Sequence, residues 1–324
     1  MKPYDVVAIG ECLIDFVCTR GEGKLAMEGN AGGAPANVLA MAAKLGHRTA
    51  MISKVGADAF GAFLCEQLAS AGIDSDYLLR DADHPTTLAI VQLDKAGNRS
   101  FSFYRDRTAD VMLRADELPV QLLQSAGILH FGSLSLTAEP VRSATFEAIR
   151  IAKDAGAVIS YDPNLRPPLW PNLEEARAML CAGLARADLV KMSEEELQFI
   201  SGETDLQAGI RKLNREYSLQ LLAVTLGERG CLYSVNGQTY ASPAFDTHCV
   251  DTTGAGDASW GAALSWMMER RCVPKTMTES DVYTLMDFAN AAGSLATTRM
   301  GAIPAMPDRD TMEACIRTTP RLLF

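Results

Sequence analysis

The chain has no CxxC pair. Its eight cysteines, at positions 12, 18, 65, 181, 231, 249, 272 and 315, are scattered singly, several of them inside apolar runs. That spacing excludes a zinc ribbon or a disulfide framework and reads as buried thiols in a reducing compartment. Histidine is scarce: His47, His84, His130 and His248 are dispersed, and no His/Cys cluster suggests zinc. Positive charge is in deficit, giving a net charge of −10 and a pI near 5.0. Such a chain is poorly suited to hold a nucleic-acid backbone, although a small phosphorylated ligand needs only a local positive site. No window offers the roughly 18 apolar residues of a membrane span. The opening MKPYDVVAIG is too short and too soon charged for a signal peptide, so a cytoplasmic location is expected. The Walker pattern GxxxxGK[ST] is absent, which excludes a P-loop nucleotide site. No repeat, low-complexity tract or long polar linker divides the 324 residues, and a single domain over 1–324 is expected.

What is present is a β-then-α rhythm. Tyr4–Gly10 is a continuous apolar run, the mark of a strand buried on both faces. Thr49–Val55 reads as a second strand, followed by a helix to Leu68 that closes at Gly72. From Ile128 the alternation is regular: strand 128–132, helix 139–155, strand 157–162, helix 172–186, strand 188–192, two short helices, then strand 221–225. This order predicts a three-layer, doubly wound α/β fold with a mostly parallel sheet. Two segments break the rhythm. Runs 86–93 and 99–104, joined by Asp94-Lys95-Ala96-Gly97-Asn98, read as a hairpin of a separate small sheet, and Asn236-Gly237 turns a second hairpin over 231–241.

The densest stretch is Asp251-Thr252-Thr253-Gly254-Ala255-Gly256-Asp257, followed by an apolar-periodic segment that reads as a helix starting near Asp257. Small residues at a helix N-terminus expose backbone N–H groups suited to a phosphate. A carboxylate at that place can take the proton from a hydroxyl that attacks the phosphate; the plainer reading is an Asp capping a glycine turn. A second glycine stretch, Gly29-Asn30-Ala31-Gly32-Gly33-Ala34-Pro35-Ala36-Asn37, leads into another helix, with Asn37 in its first turn. Glu11 and Asp15 follow the first strand, where ligands bind in open α/β sheets. After strand 157–162, Asp162, Asn164 and Arg166 form a polar cluster stiffened by prolines. Ser193 with Glu196 reads as a capping box.

Gly32-Gly33-x-x-x-Asn37 and the stretch 251–262, in this order and far apart, resemble the two signatures of the ribokinase (PfkB) sugar-kinase family. The resemblance covers essentially the whole chain, and Asp162, Asn164 and Arg166 together with Trp170 are similar to its fructokinase and 2-keto-3-deoxygluconate kinase branches. It implies a ribokinase-like fold with a β-lid from about 12–31 and 86–110 that covers a sugar and often mediates dimerisation. It implies ATP-dependent transfer to a primary hydroxyl, D-fructose giving fructose 6-phosphate. Asp257 would be the base, with Gly254, Ala255 and Gly256 as the anion hole. Asp15, Gly32, Gly33, Asn37, Arg105 and Arg166 would meet the sugar. Lys191, Ser193, Thr225, Gly227, Gly230, Gly254, Gly256 and Asn290 would line the nucleotide site. Glu196 would organise Mg²⁺ through water, although Ser193 stands where the family pattern has Asn. Asp251 and Thr253, with the backbone of Ala296, Gly301 and Ala305, match a monovalent-cation loop suited to K⁺. The partners implied are a sugar and ATP, with no nucleic acid or membrane, in a homodimer formed through the lid.

Alternatives remain at this level. The acceptor could be 2-keto-3-deoxygluconate, an aminoimidazole riboside or another nucleoside or sugar. A dinucleotide oxidoreductase fits poorly, because Gly254-x-Gly256-x-x-Ser259 lacks the third glycine and comes late in the chain. A sugar-binding regulatory protein on the same fold would have no need of Asp257.

Overall fold

The computed structural model describes residues 2–21, 24–93 and 99–323. In chain order its elements are β1 Tyr4–Ile9, β2 Leu13–Gly21, β3 Lys24–Gly32, α1 Ala34–Lys44, β4 Thr49–Gly56, α2 Ala59–Ser70, β5 Ile73–Asp74, β6 Leu78–Asp81, β7 Leu88–Leu93 and β8 Arg99–Tyr104. There follow α3 Val120–Ser125, β9 Ala126–Gly132, α4 Val141–Asp154, β10 Val158–Asp162, α5 Leu173–Leu184, β11 Leu189–Ser193, α6 Glu194–Ser201, α7 Leu206–Tyr217 and β12 Leu221–Thr225. The chain ends with β13 Cys231–Val235, β14 Gln238–Ser242, α8 Ala255–Arg270, α9 Glu279–Ala296 and α10 Arg309–Thr318.

The main sheet runs β14-β13-β12-β11-β10-β9-β1-β4-β5, with β6 also on β4. The pairs from β12 to β5 are parallel, and β13 and β14 close one edge antiparallel. Alternate residues of β1 feed two cores. Val6 and Ala8 pack with α1, α8 and α9, while Val7 and Ile9 pack with α4, α5 and α7 on the opposite face. Both faces being covered explains why the strands read as unbroken apolar runs. The expected layered α/β fold is what forms. The strand order reverses between β1 and β9, and a crevice opens beyond the carboxyl ends there.

The second sheet, order β3-β2-β7-β8, is built apart from the first. β2 pairs antiparallel with β3 and parallel with β7, and β7 forms a hairpin with β8. The turn at 94–98 that was read as its tip lies outside the described residues. Strands β5 and β6 were not anticipated; at two and four residues they are too short to show a period. Helix α8 begins at Ala255 rather than near Asp257, because Gly254 takes a left-handed conformation, φ 75° and ψ 0°, and caps it from two residues further back. Among the described residues no helix is long and apolar enough to cross a membrane.

Candidate active site

The crevice holds a cavity of about 690 Å³ at the reversal point, walled by both sheets. Lid strands contribute Asp15, Val17, Glu28 and Asn30. The main fold contributes Glu11, Gly33, Asn37, Leu134, Asn164, Arg166, the segment 251–254, Asp257, and the segment 300–302 with Pro304.

At its base lies the first turn of α8. A side chain at Gly254 would put its Cβ 2.6 Å from the methyl of Ala302, so both the turn and the packing require glycine there. A Cβ at Gly256 would stand 2.7 Å from Lys191 Nζ. The glycine thus lets a cation sit directly against the helix N-terminus. Within that turn the Ala255 N–H reaches back to the Thr252 carbonyl at 3.3 Å, and Ala258 N–H closes the first helical bond to Gly254 at 2.8 Å.

Asp257 is buried, and Asn37 Nδ2 donates to its Oδ2 at 2.8 Å. This bond joins two segments 220 residues apart in the chain. Burial pushes the Asp257 carboxyl up to about 6, and the Lys191 charge and the Asn37 bond pull back only part of that rise. Asp15 is likewise raised to about 6 by burial, with the Arg166 charge opposing and the Asp257 charge adding. Near neutral pH each is largely a carboxylate, basic enough to hold a proton transiently.

Lys191 and Asp162 form a buried pair, Nζ to Oδ2 at 2.8 Å. Asp162, Asp257 and Glu196 keep the Lys191 ammonium charged against its burial. The sequence placed Asp162 in a polar cluster without giving it a role. It belongs to the site because β10 and β11 run parallel with Tyr161 opposite Val190, so that the next residues, Asp162 and Lys191, stand side by side. This pair, Ser193 and Glu196 also line a second cavity of about 450 Å³ that shares Asn164 and Arg166 with the first.

Ser193 caps α6 as the spacing suggested. Its Oγ accepts the Glu196 N–H at 3.2 Å, and Glu196 Oε2 accepts the Ser193 N–H at 2.8 Å. Glu196 Oε1 accepts the Leu165 N–H at 2.7 Å, so the glutamate also holds the segment that carries Arg166. Burial and the Asp162 charge raise its carboxyl above the ordinary value. Asp251 binds its own loop together. Oδ1 accepts from Thr253 N and Oγ1 at 2.9 and 2.7 Å, and Oδ2 accepts the Gly301 N–H at 3.0 Å. The Thr297 carbonyl, next to Ala296 at the end of α9, accepts from Val250 and Asp251, and Ala305 closes the following turn onto Ala302.

Several expected residues lie outside these two cavities. Arg105, expected at the sugar, does not line the cavity. It is buried beneath the lid, its Nε on Asp110 Oδ2 and its Nη1 on Thr137 Oγ1, each at 2.8 Å; a buried guanidinium requires such a carboxylate partner. Asn290, expected at the nucleotide, is buried and turns its amide inward, to Ser242 and Pro243 carbonyls at 3.2 and 3.1 Å. Gly230 packs against the backbone of Pro243 and Ala244, and neither it nor Thr225 or Gly227 lines either cavity. Conversely Glu11, Glu28, Asn30, Phe103 and Met300 line the main cavity without having been assigned to it. Only Glu11 carried a local signal, its place just past β1.

Residues 4–309 match the model of the pfkB family carbohydrate kinases. Fructokinase-1 of Zea mays is 44% identical over 308 residues, covering 93% of this chain and 94% of that protein. A fructokinase structure with bound ATP from Xylella fastidiosa superposes with a TM-score of 0.90 at 35% identity, covering 97% of this chain and 98% of that one. A double-mutant fructokinase from Vibrio cholerae O395, in a form with fructose, ADP and potassium ion bound, gives 0.85 at 32% identity over 98% and 99%.

Proposed function

The chain belongs to the pfkB family of carbohydrate kinases, and from that premise we propose that it transfers the γ-phosphoryl group of ATP to the primary hydroxyl of D-fructose, giving fructose 6-phosphate. One observation favours a neutral sugar over a sugar acid. The main cavity is lined by five carboxylates, Glu11, Asp15, Glu28, Asp251 and Asp257, against the single guanidinium of Arg166. That guanidinium already faces Asp15 and Asp257. A substrate carboxylate would meet like charge there, whereas a polyol finds acceptors for its hydroxyls.

The sugar lies between Asp15, Gly32, Gly33 and Asn37 and is covered by the lid. Asn37 orients Asp257. The hydroxyl oxygen attacks the γ-phosphorus, its proton passes to the Asp257 carboxylate, and the bond to the bridging oxygen breaks with its electron pair leaving on ADP. The proton then leaves Asp257 for solvent. The N–H groups of Gly254 and Gly256, with the Lys191 ammonium beside them, stabilise the charge on the transferring group, and the Ala255 N–H joins them by exchanging its 3.3 Å bond to the Thr252 carbonyl for the phosphoryl oxygen; donors aimed at developing charge usually contribute most to rate.

Mg²⁺ would be held mainly by phosphates and water. The donors fit such a role: Glu196 lines the smaller cavity, and no group of three or more His, Cys, Asp or Glu is clustered as a full ligand cage among the described residues. When bound, the ion neutralises phosphate charge. Asp251, Thr253 and Gly301 lie together in a loop whose backbone oxygens, with those near Ala296 and Ala305, suit K⁺. The protein acts in the cytoplasm, a reading supported by its eight free cysteines. The lid leaves Leu25, Met27 and Tyr104 exposed, a surface suited to a second copy of the chain.

The test is ADP release with fructose, 2-keto-3-deoxygluconate, an aminoimidazole riboside and ribose, repeated with Na⁺ in place of K⁺. Fructose should give the highest kcat/KM. A preference for the sugar acid would refute the charge argument.

A further inference from the structure

Beneath the lid lies a charged cluster that the reaction itself does not use. Arg105 follows directly on β8, and Thr87 directly precedes β7. Asp110 holds both: Oδ2 takes the Arg105 Nε–H, while Oδ1 takes the hydroxyls of Thr87 and Thr108 at 2.5 and 2.8 Å. The Thr87 carbonyl in turn accepts the Ile14 N–H of β2 at 3.1 Å. Arg105 Nη1 reaches Thr137, whose hydroxyl donates to the carbonyl of the cavity-lining Leu134 at 2.7 Å. Three lid strands are therefore rooted in one buried ion pair.

Glu11 stands on the other side. It is 2% exposed, and its Oε1 accepts the N–H of Ala34 at 3.0 Å. Ala34 starts α1 and follows Gly33, whose φ of 116° turns the chain so tightly that a Cβ would strike the Glu11 carbonyl. Among the described residues Glu11 Oε2 and Arg105 Nη2 are buried with no hydrogen-bond partner. The two groups interact by charge: Arg105 lowers the Glu11 carboxyl, which burial nevertheless pushes up to about 7.

We infer that Glu11 and the Arg105–Asp110 pair are positioning residues that join the root of the lid to the loop bearing Gly33 and Asn37. Arg105 then acts on sugar binding without touching the sugar. The inference rests on reading the main cavity as the sugar site. The nucleotide-side groups, Lys191, Ser193 and Glu196, share no hydrogen bond with this cluster, so its loss should fall on one substrate only.

The experiment measures kcat and separate KM values for fructose and ATP in the wild type, Glu11→Ala, Glu11→Gln and Asp110→Asn, with thermal midpoints alongside. Glutamine keeps an oxygen for the Ala34 N–H, and its NH₂ replaces a carboxyl oxygen that carries a proton much of the time near neutrality. Loss of a buried acceptor should raise the fructose KM of Glu11→Ala about tenfold or more, with the ATP KM changing less than about twofold. Glu11→Gln should return the fructose KM to within about threefold of wild type, and Asp110→Asn should raise it at least about fivefold. Should Glu11→Ala fail to fold, Asp110→Asn and Glu11→Gln decide. Equal rises in both KM values, an unchanged fructose KM in Asp110→Asn, or Glu11→Gln no better than Glu11→Ala would overturn the inference. A wild type that does not phosphorylate fructose would overturn the sugar-site reading and this inference with it.

Discussion

Asp257→Asn should make the protein more stable as well as less active. The Asp257 carboxyl titrates near 6 in the fold instead of 3.8, chiefly because it is buried. An unfolded chain has the ordinary value. Between these two pH values the unfolded chain gives up its proton and the folded chain does not. The sign follows: the ionised aspartate is harmless to stability below about pH 3.8, increasingly unfavourable as pH rises, and fully so above about pH 6. The rise from 3.8 to about 6 corresponds to about 3 kcal/mol at about pH 8. Asparagine removes the charge, its amide oxygen can keep the bond from Asn37, and Lys191 stays paired with Asp162. With an unfolding entropy of about 2.1 cal/mol/K per residue, that energy is a gain of about 4 °C in the thermal midpoint. Urea unfolding should give about 3 kcal/mol at about pH 8, shrinking to about 1 kcal/mol near pH 4.5. A variant no more stable than wild type at pH 8, or a gain that does not shrink in acid, would refute the reasoning. Such a gain is what a functional group held at a cost to stability predicts.

Two other outcomes follow from the same geometry. Gly254→Ala forces a β-carbon onto Ala302 at a left-handed position, and should lower urea stability by about 1–3 kcal/mol while cutting kcat. The kcat/KM for fructose should fall on the acid side of about pH 6, because Asp15 and Asp257 are both raised to about 6 and both lose their charge below it; with two groups protonated together the log–log slope should exceed one, and a profile flat to about pH 5 would contradict their roles.

The βα order was legible because its signal is local. Strands such as β12, whose residues Leu221–Val224 are buried, show as apolar runs whatever they pack against. Glycines 33 and 254 were legible as parts of glycine stretches leading into helices, and Asp257 as a carboxylate at a helix start; that the two glycines pack against Glu11 and Ala302 was not. What escaped depends on residues meeting across the fold. Beside Arg105 the sequence offered a ligand or the carboxylates of Asp106 and Asp110 as partners, and Asp110 is the one that pairs; nothing local reveals that Thr137, 32 residues on, completes its burial. Asn290 was placed at the nucleotide by the resemblance alone, and no local signal shows that Ser242 and Pro243 hold its amide. The Lys191–Asp162 pair required knowing that β10 and β11 are neighbours in register. Lining residues from the lid, Glu28 and Asn30, required knowing which face of β3 turns inward.

The central claim is that Asp257 takes the proton of the attacking hydroxyl. It is tested most directly by single-turnover and steady-state kinetics of Asp257→Asn with fructose, with the ATP dissociation constant measured on the same preparation. The account predicts a fall in kcat of about 10²–10⁴, with ATP binding within about threefold of wild type. A kcat equal to that of the wild type would contradict it, and so would a loss of rate that comes entirely from lost ATP binding.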